Sequence, residues 1–525
     1  MPQTNQDFRG RLLPNTIGTI WDSLYPLGDR PASTLWKVPK AQQYGSTFPF
    51  YARYPRPTGE VNSFSSHLWA HSQIDYELDL EAEFGCFPYK WTITSGPVGA
   101  TIVSEYTRST VGGLTLHSRP ANYGRLIWPG VKSGSANFVV ECRDQLDNVI
   151  TYTFTVIVDD TKFVFLDTAA ANDSGDGSYA SPKKTFPAVW VAGFAQRTIV
   201  IKNGTYSASE TGNTSSILFN NTTRPTAIIN YPGHTPSLNL LYPFRDGGDN
   251  NSSDDLLMRG IRIVNATLVP DGNNKMIHFA RVQSRNTFQH LTFANVTKGT
   301  VGDDNPGCIV YFDAGGRHYN ISVSNCVLEA SCTVQLVVFF RVDHFGASFN
   351  TADGVTLDSA LSNGDVFINA KDGSNYVDFI GNYFNGTNAS RTPIAFFNQS
   401  GSVGATYQRS SYNRIKNSAG GCEVWHLSNY DPDRGPCESF ANTFIAVGDS
   451  AYGAGNWAPR PGMKSQSNLW AGSYLAGILG SSNTTWMDLT GVPNQQITPS
   501  DVDSSLNLTG SAVQYRLTKG AELFS

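Results

Sequence analysis

The sequence is poor in charge. Of its 525 residues only 15% are charged, and the formal net charge is −5. It has no run of basic residues, whereas a protein that binds nucleic acid through the phosphates needs a clustered basic surface. The composition therefore excludes a nucleic-acid footprint and favours an extended neutral or sugar-like partner.

Long apolar runs are also missing. No apolar stretch approaches about 18 residues, the length at which a membrane-spanning helix is expected. Residues Met1–Phe8 lack the basic and apolar regions of a signal peptide. The sequence predicts a protein without a membrane span that does not leave the cell by the common export route.

Cysteine is scarce and is not arranged for a metal. Seven Cys are present and none lies in a CxxC spacing. We predict that Cys308, Cys326 and Cys332, in or beside apolar segments, are reduced thiols of the core. Two pairs could form disulfides in an oxidising environment: Cys86 with Cys142, and Cys422 with Cys437.

What the sequence has instead is a repeat of about 30 residues. Three short alternating segments end at Asn265, Asn295 and Asn325, and self-similarity at a fixed period is typical of a solenoid. Further Asn continue the repeat less regularly, at Asn203, Asn230, Asn350, Asn382, Asn413 and Asn442. The spacing predicts about nine coils, with Asn295 and Asn325 turned inward in a hydrogen-bonded ladder that satisfies the backbone of the bends.

A second apolar segment keeps the same interval. It begins at Ile277, Ile309, Val337, Val366, Ile394 and Val424. Gly, Asn, Asp and Ser separate the segments and helix caps are nearly absent, which predicts strands joined by turns rather than by helices. Strands stacked at about 4.8 Å then describe an all-β chain whose main part is a parallel β-helix.

The first 70 residues show no periodicity. They carry Trp21, Trp36 and Trp69 and several Pro, which predicts an extended N-terminal arm. Exposed aromatic residues in such an arm need a surface to cover them. The arm either folds back on its own chain or attaches the protein to a larger assembly.

The rest of the chain divides into three parts. In residues 71–160 the apolar period is two, which predicts a β-sandwich. Its predicted strands are Tyr76–Leu80, Tyr89–Ile93, Leu114–Leu116, Ala136–Cys142 and Thr151–Val158. Residues 161–453 are predicted to form the parallel β-helix, and residues 454–525 its final coils and a C-terminal cap.

Two stretches of the sandwich resemble a known family. Residues Gly85–Trp91, followed by Tyr152–Val156 and Asp159, resemble the immunoglobulin-like modules of bacterial surface proteins and viral structural proteins. The resemblance implies an immunoglobulin-like β-sandwich and says little about chemistry.

The start of the repeat region resembles another family. Phe163–Asp167, Asn172–Pro182 and Arg197–Tyr206 are similar to the first segment of right-handed parallel β-helix proteins of the pectate-lyase-like class. In that class a short helix, here expected between Phe186 and Phe194, closes the end of the solenoid. Residues Val513–Gly520 resemble a closing segment of the same proteins.

The order of an arm, an immunoglobulin-like module and a β-helix resembles bacteriophage tailspikes and related virion surface proteins. The resemblance implies that the N-terminal part binds other virion proteins and that the β-helix binds or cleaves bacterial surface polysaccharide as a homotrimer. The expected location is therefore the surface of a virion.

Candidate catalytic residues follow from aligning the second segments. Asp343 and Asp372 both lie six residues after a segment start, which would place two carboxylates one strand spacing apart, as an acid and nucleophile of a retaining glycosidase. The same cluster could instead hold Ca²⁺, with Arg341 or Lys371 as the base of a β-elimination. A salt-bridge ladder without catalytic function is the third interpretation. No other cofactor and no defined metal site are predicted.

Candidate binding residues lie in two places. The same alignment predicts one column of alternating charge from Arg281, Asp313 and Arg341. A later loop combines aromatic rings, which stack on sugars, with groups that hydrogen-bond hydroxyls: Trp425, His426, Tyr430, Asp431, Asp433 and Arg434. A long bend held by Cys422 and Cys437 is the alternative for this loop.

The sequence thus predicts a virion surface protein that recognises host polysaccharide, with cleavage left open. A secreted polysaccharide lyase or glycoside hydrolase is one alternative. A non-enzymatic structural or decoration protein of a viral particle is the other.

Overall fold

The computed structural model shows an all-β chain. It describes residues 50–55, 63–85, 89–104, 107–111, 114–118, 120, 122–130, 132–144, 147–247, 253–264, 267–268, 275–298, 307–312, 315–357, 366–387, 393–398, 407–418, 423–427, 437–440, 442–447, 464–466, 469–472 and 495–496. In these ranges the α-helix is the single turn Phe186–Val189, and 3₁₀ turns lie at Ser66–Leu68, Asp160–Lys162 and Ala192–Phe194. None of these helices is long and apolar enough to cross a membrane.

The main body is a parallel β-solenoid, as the repeat predicted. In each coil the chain contributes strands to up to three parallel sheets, here called the first, second and third solenoid sheets. The first consists of Phe163–Leu166, Thr198–Ile201, Ala227–Asn230, Leu257–Arg259, Thr287–Gln289, His318–Ser324, Val342–Ser348, Asn375–Ile380, Gln408–Ser411, Cys437–Phe440 and Lys464–Gln466.

The other two solenoid sheets follow in each coil. The second consists of Thr205–Ala208, Ser237–Leu240, Arg262–Val264, Thr292–Ala294, Val327–Leu328, Thr351–Thr356, Tyr383–Thr387, Arg414–Lys416, Thr443–Val447, Leu469–Gly472 and Gln495–Gln496. The third consists of Ile217–Phe219, Phe244–Asp246, Lys275–Phe279, Cys308–Phe312, Gln335–Phe340, Ile368–Lys371, Ile394–Asn398 and Glu423–Leu427. Thr267–Leu268 and Thr297–Lys298 form a further short pair.

The solenoid core consists of inward side chains stacked like on like. In the third sheet Phe279, Phe312 and Phe339 are in register, with ring centroids 4.5 and 4.8 Å apart. The three thiols predicted to be buried, Cys308, Cys326 and Cys332, are fully buried, which confirms that prediction. The parallel stacking therefore carries each apolar column from coil to coil.

An asparagine ladder lies at the bend between the first and second sheets. Asn350, Asn382 and Asn413 each donate from Nδ2 to the Oδ1 of the next Asn, at 3.0, 3.0 and 3.1 Å, and the last acceptor is Asn442. Each Oδ1 also accepts the backbone N–H one coil below, so the bend backbone is satisfied inside the core. Four of the predicted Asn positions are thus confirmed.

The prediction for Asn295 and Asn325 is wrong. Asn295 is exposed and ends a second-sheet strand, whereas Asn325 is half-buried and ends a first-sheet strand. The coil from Thr292 to Val327 is longer than 30 residues. Counting an even 30 residues from Asn295, in the second sheet, therefore leads to Asn325, in the first sheet. At this coil, Cys326, one residue after Asn325, occupies the position that Asn residues occupy in the following coils of the ladder.

The second segment was also aligned out of register at three coils. The third sheet pairs Ile277, Val310, Val337 and Ile368, whereas the alignment used Ile309 and Val366; further along, Ile394 pairs with Glu423 instead of Val424. Alternating strands tolerate a shift in sequence matching because apolar residues recur on both sides of the true position. This shift changes which charged residues become neighbours at the following bend.

The helix at the start of the solenoid closes its end as predicted. Phe186 and Trp190 are fully buried and stack at 5.4 Å, and both contact Phe244 at about 6 Å between centroids. The Trp190 Nε1 donates to the Leu218 carbonyl at 3.3 Å. The predicted closing segment at the other end, residues 513–520, lies outside the described residues.

The described residues of the range 50–158 form a separate, mostly antiparallel β-module. Its strands are Tyr51–Tyr54, Trp69–Ala70, Tyr76–Asp79, Glu81–Glu83, Lys90–Ser95, Thr101–Ile102, Thr107–Val111, Leu114–Ser118, Arg125–Trp128, Ser135–Arg143 and Val149–Val158. All five predicted strands are present. Tyr51–Tyr54 pairs with Glu81–Glu83, and Trp69–Ala70 with Val158, so the module begins before the predicted boundary at residue 70. Residues 1–49 of the predicted arm lie outside the described residues.

The β-module covers the outer face of the first solenoid sheet through buried polar contacts. Asp378 and Arg409, both fully buried, form a bidentate pair at 2.9 and 2.7 Å. Arg409 also donates to the carbonyls of Phe84 and Gly85, and Asp378 accepts from the Phe84 N–H. The two parts of the chain are thus joined by satisfied buried charges.

A second buried carboxylate is held at the same interface. Glu81 accepts from Arg53 Nε at 2.9 Å, from Gln289, and from the hydroxyls of Ser322 and Ser324. Burial alone would raise the pKa of Glu81, but Arg53 and these donors outweigh it and hold the pKa below its ordinary value.

A glycine of the covered sheet makes room for this arrangement. A Cβ on Gly346 would lie 1.5 Å from Arg53 Nη1. Any larger residue would therefore displace the guanidinium that pairs with Glu81.

Candidate functional site

The predicted catalytic residues meet at the bend between the third and first sheets. Strand Gln335–Phe340 of the third sheet pairs with Ile368–Lys371, and Arg341 and Asp372 follow these strands directly. Both have left-handed backbone conformations, with φ of 52° and 49°. The chain turns there and enters the first sheet at Val342–Ser348 and Asn375–Ile380.

Asp343 lies at the centre of a polar row that crosses three coils. Its Oδ1 accepts from Arg317 Nη1 at 2.5 Å and from Asn375 Nδ2 at 3.0 Å. Arg317 also approaches the Gly373 carbonyl at 3.4 Å. The Asp343 side chain is 22% exposed and that of Arg317 is 31% exposed. We call Arg317, Asp343 and Asn375 the bend row.

The predicted pairing of Asp343 with Asp372 is wrong in register. Asp343 pairs with Asn375 in the first sheet, whereas Asp372 occupies the position after Lys371 that Arg341 occupies after Phe340. The alignment from Val366 rather than Ile368 caused the error. The two carboxylates therefore do not share a column and do not form the predicted acid and nucleophile pair at one strand spacing.

The predicted basic residues are held by neighbouring coils. Lys371 Nζ lies 5.1 Å from the Phe340 ring centroid and 5.6 Å from that of Phe397, which places the ammonium within cation–π range of two rings. Arg341 is exposed, and its backbone N–H donates to the Lys371 carbonyl. Both cations thus belong to the same surface as the bend row.

A row of aromatic rings flanks the bend row. His344 stacks on Tyr376 at 4.5 Å, and Tyr376 stacks on Tyr407 at 4.7 Å, each with a 7° interplanar angle. Tyr51 of the β-module meets the first two rings edge-on. Burial, with Tyr51 and Tyr407 beside it, raises the pKa of Tyr376. Its hydroxyl therefore stays a hydrogen-bond donor at neutral pH.

His344 is also paired with a carboxylate of the β-module. Its Nδ1 lies 2.5 Å from Glu83 Oε1, and the Glu83 side chain is fully buried, whereas that of His344 is 24% exposed. Among the residues that the structure describes, Nε2 of His344 has no hydrogen-bond partner and is not buried. The imidazole therefore has one nitrogen fixed by a carboxylate and the other accessible to solvent.

Three of the remaining predicted binding residues lie in the described part of the chain: Arg281, Trp425 and His426. Arg281 is exposed, and its backbone N–H donates to Asp246 at 2.9 Å. Trp425 and His426 lie in the third-sheet strand Glu423–Leu427, in register with Phe396 and Phe397, rather than in a loop. Five others lie outside the described residues: Asp313, Tyr430, Asp431, Asp433 and Arg434.

The donor set does not fit the predicted Ca²⁺. The Arg317 guanidinium lies against Asp343, and a cation there takes the place that Ca²⁺ would need. Across the described ranges no three His, Cys, Asp or Glu residues are grouped to hold a metal ion. The sequence Asn172–Gly177 forms Asx turns, in which Asn172 and Asp176 each accept the N–H two residues later.

Sequence reasoning missed Arg317, Asn375, Glu83 and Tyr51. Arg317 and Asn375 lie one coil on either side of Asp343, and a correct register would have found both. Glu83 is 261 residues from His344 in the chain, and no local pattern indicates that they meet.

The fold and the site together define a parallel β-solenoid with a polar and aromatic surface at one bend. No protein-family model matches the chain, and no curated protein sequence matches it.

Several solved structures align with this chain. A rhamnogalacturonan lyase aligns at 13% identity over 69% of this chain and 99% of its own, with a TM-score of 0.42. A family 28 exopolygalacturonase of Yersinia enterocolitica aligns at 11% identity over 77% and 90%, with a TM-score of 0.37. A pectate lyase aligns at 14% identity over 67% and 94%, with a TM-score of 0.32. TM-scores below 0.5 establish neither a shared site nor a shared activity.

Proposed function

We propose that the protein binds a polysaccharide at the bend row and its flanking aromatic rings. The observation that carries the proposal is that, among the described residues, only one of the two carboxylate oxygens of Asp343 is hydrogen-bonded. Both of its hydrogen bonds go to Oδ1, and Oδ2 has no partner within the described part of the chain. A fixed, partly exposed carboxylate oxygen is an acceptor for sugar hydroxyls that needs no further ordering to bind.

The groups around Asp343 support a sugar rather than a charged polymer. Arg317 and Asn375 offer planar donors, the Tyr376 hydroxyl offers another, and the chain as a whole carries little net charge. The row also runs along the solenoid from coil to coil, which suits an extended ligand. A polysaccharide presents both repeated hydroxyls and length.

We further propose that the protein lies on the surface of a bacteriophage particle. It would recognise a bacterial surface polysaccharide as a homotrimer, attached to other virion proteins through the N-terminal arm and an immunoglobulin-like module. Support comes from the order of arm, β-module and solenoid along the chain, which resembles tailspike proteins. Under the alternatives, a secreted lyase or hydrolase would act without a particle, and a decoration protein would bind no polysaccharide.

Asp343→Asn is expected to weaken polysaccharide binding at least about tenfold, because the charged acceptor is lost. Thermal stability should change little, since the Asp343–Arg317 pair is partly exposed and surface ion pairs contribute about 0–1 kcal/mol. Binding would be measured by surface plasmon resonance on immobilised capsular polysaccharides and lipopolysaccharides.

The matched control is Asp353→Asn on the second sheet. Asp353 accepts from an Asn one coil away, at 2.7 Å, much as Asp343 does, but it lies on another face. Equal binding by the wild type and Asp343→Asn, or equal losses in both variants, would refute a binding site at the bend row.

Cleavage of the bound polysaccharide is a second candidate function, favoured by the Glu83–His344 pair. A buried carboxylate that fixes Nδ1 leaves Nε2 to accept a proton from water or from a sugar carbon. In hydrolysis, Nε2 would take a proton from water while the water oxygen bonds to the anomeric carbon, the glycosidic C–O bond breaks and the leaving oxygen takes a proton from solvent. In elimination, Nε2 would take a proton from a sugar ring carbon while the C–O bond at the neighbouring carbon breaks, a C=C double bond forms and the leaving oxygen takes a proton from solvent.

His344→Gln is expected to reduce product release by about 10²–10⁴-fold, the usual contribution of a general base, and to weaken polysaccharide binding much less, because it removes only one of the stacked rings. Glu83→Gln should shift the pH profile of the rate, because Glu83 acts only through the imidazole. Reducing ends and unsaturated uronates would be measured together. A wild-type protein that binds polysaccharide but releases neither product would leave binding as the function.

A further inference from the structure

A cleft lies where the β-module meets the start of the solenoid, away from the bend row. It has a volume of about 480 Å³ with its open mouth included. Apolar groups form much of the wall, including Phe163, Ile229 and Leu257, and the polar groups come mostly from the β-module. Pockets that bind small molecules combine such walls with a few placed polar groups.

Four polar atoms lining this cleft are buried without a hydrogen-bond partner. They are Tyr54 Oη, His67 Nε2, Trp69 Nε1 and Arg259 Nε. His67 is 5% exposed and Arg259 is 4% exposed. Buried polar atoms in native proteins are nearly always satisfied by protein, water or ligand. Their convergence on one cleft therefore indicates a polar occupant.

The hydrogen-bonding capacity of these atoms limits which molecule can fill the cleft. Trp69 Nε1 and Arg259 Nε can only donate. His67 is neutral at neutral pH, because burial lowers its pKa to about 4, so Nε2 either donates or accepts. The occupant must offer at least two acceptors, and a hydroxyl group satisfies either form of His67.

Charge argues against an ionic occupant. Asp75 and Glu77 line the cleft with Arg259, whose guanidinium lies 3.6 Å from Glu77 and 3.9 Å from Asp79. An anion would meet these carboxylates, whereas a cation would meet Arg259 and two N–H donors. A neutral molecule with hydroxyl groups and an apolar face avoids both costs.

We infer that this cleft binds a single neutral sugar residue, separately from the polysaccharide surface at the bend row. The apolar wall would contact the C–H face of the ring, and the four unsatisfied atoms would form hydrogen bonds with its hydroxyls. The inference does not depend on the bend row, and Asp343→Asn should leave this binding unchanged.

The test uses the full chain and a panel of neutral monosaccharides, with glucuronate and glucosamine as charged comparisons. Saturable binding of a neutral sugar is expected by isothermal titration calorimetry, with weaker binding of both charged sugars. Trp69→Phe, which removes the N–H donor together with the five-membered ring that carries it, should weaken the binding about fivefold or more.

The matched control is Trp91→Phe. Trp91 Nε1 is also buried without a partner, but it does not line this cleft. Melting curves would show that both variants fold, and His67→Gln provides a second variant if Trp69→Phe does not. The inference is overturned if no neutral sugar binds and the cleft holds ordered water only, if charged sugars bind as well, or if Trp69→Phe and Trp91→Phe behave alike.

Discussion

Replacing Arg409 by Met is expected to destabilise the protein by about 3–5 kcal/mol, the range seen when one partner of a buried ion pair is removed. Asp378 would be left fully buried with a charge and one backbone donor, the Phe84 N–H, in place of three. The carbonyls of Phe84 and Gly85 would lose their common donor. Because these contacts join the two parts of the chain, the β-module should separate from the first solenoid sheet before the solenoid unfolds.

Denaturant unfolding and limited proteolysis of the β-module would measure this effect. The control is Arg262→Met, because Arg262 also forms a bidentate pair, with Glu329 at 3.0 and 2.9 Å, but both side chains are about 40% exposed. An exposed pair contributes only about 0–1 kcal/mol. Adding Asp378→Asn to Arg409→Met should recover part of the loss. Equal effects of the two Arg substitutions would show that the interface charges do not hold the β-module.

Asn382→Asp is expected to cost several kcal/mol, on the order of the penalty for a buried unsatisfied charge. Asn382 is 2% exposed, and its Nδ2 donates to the Ala347 carbonyl at 2.9 Å and to Asn413 Oδ1 at 3.0 Å. The substitution keeps the shape but sets a charged oxygen against two acceptors. The midpoint of thermal or denaturant unfolding should therefore fall sharply.

The pH dependence of this loss has a definite sign. Burial raises the pKa of the introduced carboxyl above its value in the unfolded chain, so the folded variant binds a proton more readily. Its stability relative to the wild type should therefore rise as the pH falls. Asn295→Asp is the control, since Asn295 is exposed. A loss for Asn295→Asp as large as that for Asn382→Asp would refute the ladder.

The β-solenoid could be predicted from the sequence because the residues that produce it are close together in the chain and recur in successive coils. A period near 30, two strand segments per repeat and a recurring Asn at one bend are all visible along the chain. Asn350, Asn382, Asn413 and Asn442 were found in this way. The short helix before Trp190 was found from a resemblance of its neighbouring residues. Each of these features depends on residues within one coil or on their recurrence in the next.

The register of the coils could not be obtained in the same way. Coils differ in length by several residues, and apolar residues recur at alternate positions, so several alignments match about equally well. The tertiary structure decided that Asn295 and Asn325 belong to different sheets. It also paired Asp343 with Asn375 instead of Asp372. A shift of one or two residues leaves the fold recognisable but assembles a different site.

Contacts between the β-module and the solenoid could not be predicted from the sequence. Glu81 meets Ser322, and Glu83 meets His344, across more than 240 residues of chain. No periodic pattern links such residues, because each satisfies a local rule for its own strand. The sequence alone determined the solenoid and the strands of the β-module. Only the tertiary structure decided the bend row and the cleft, because docking of one part on the other brings their buried charges and unsatisfied polar atoms together.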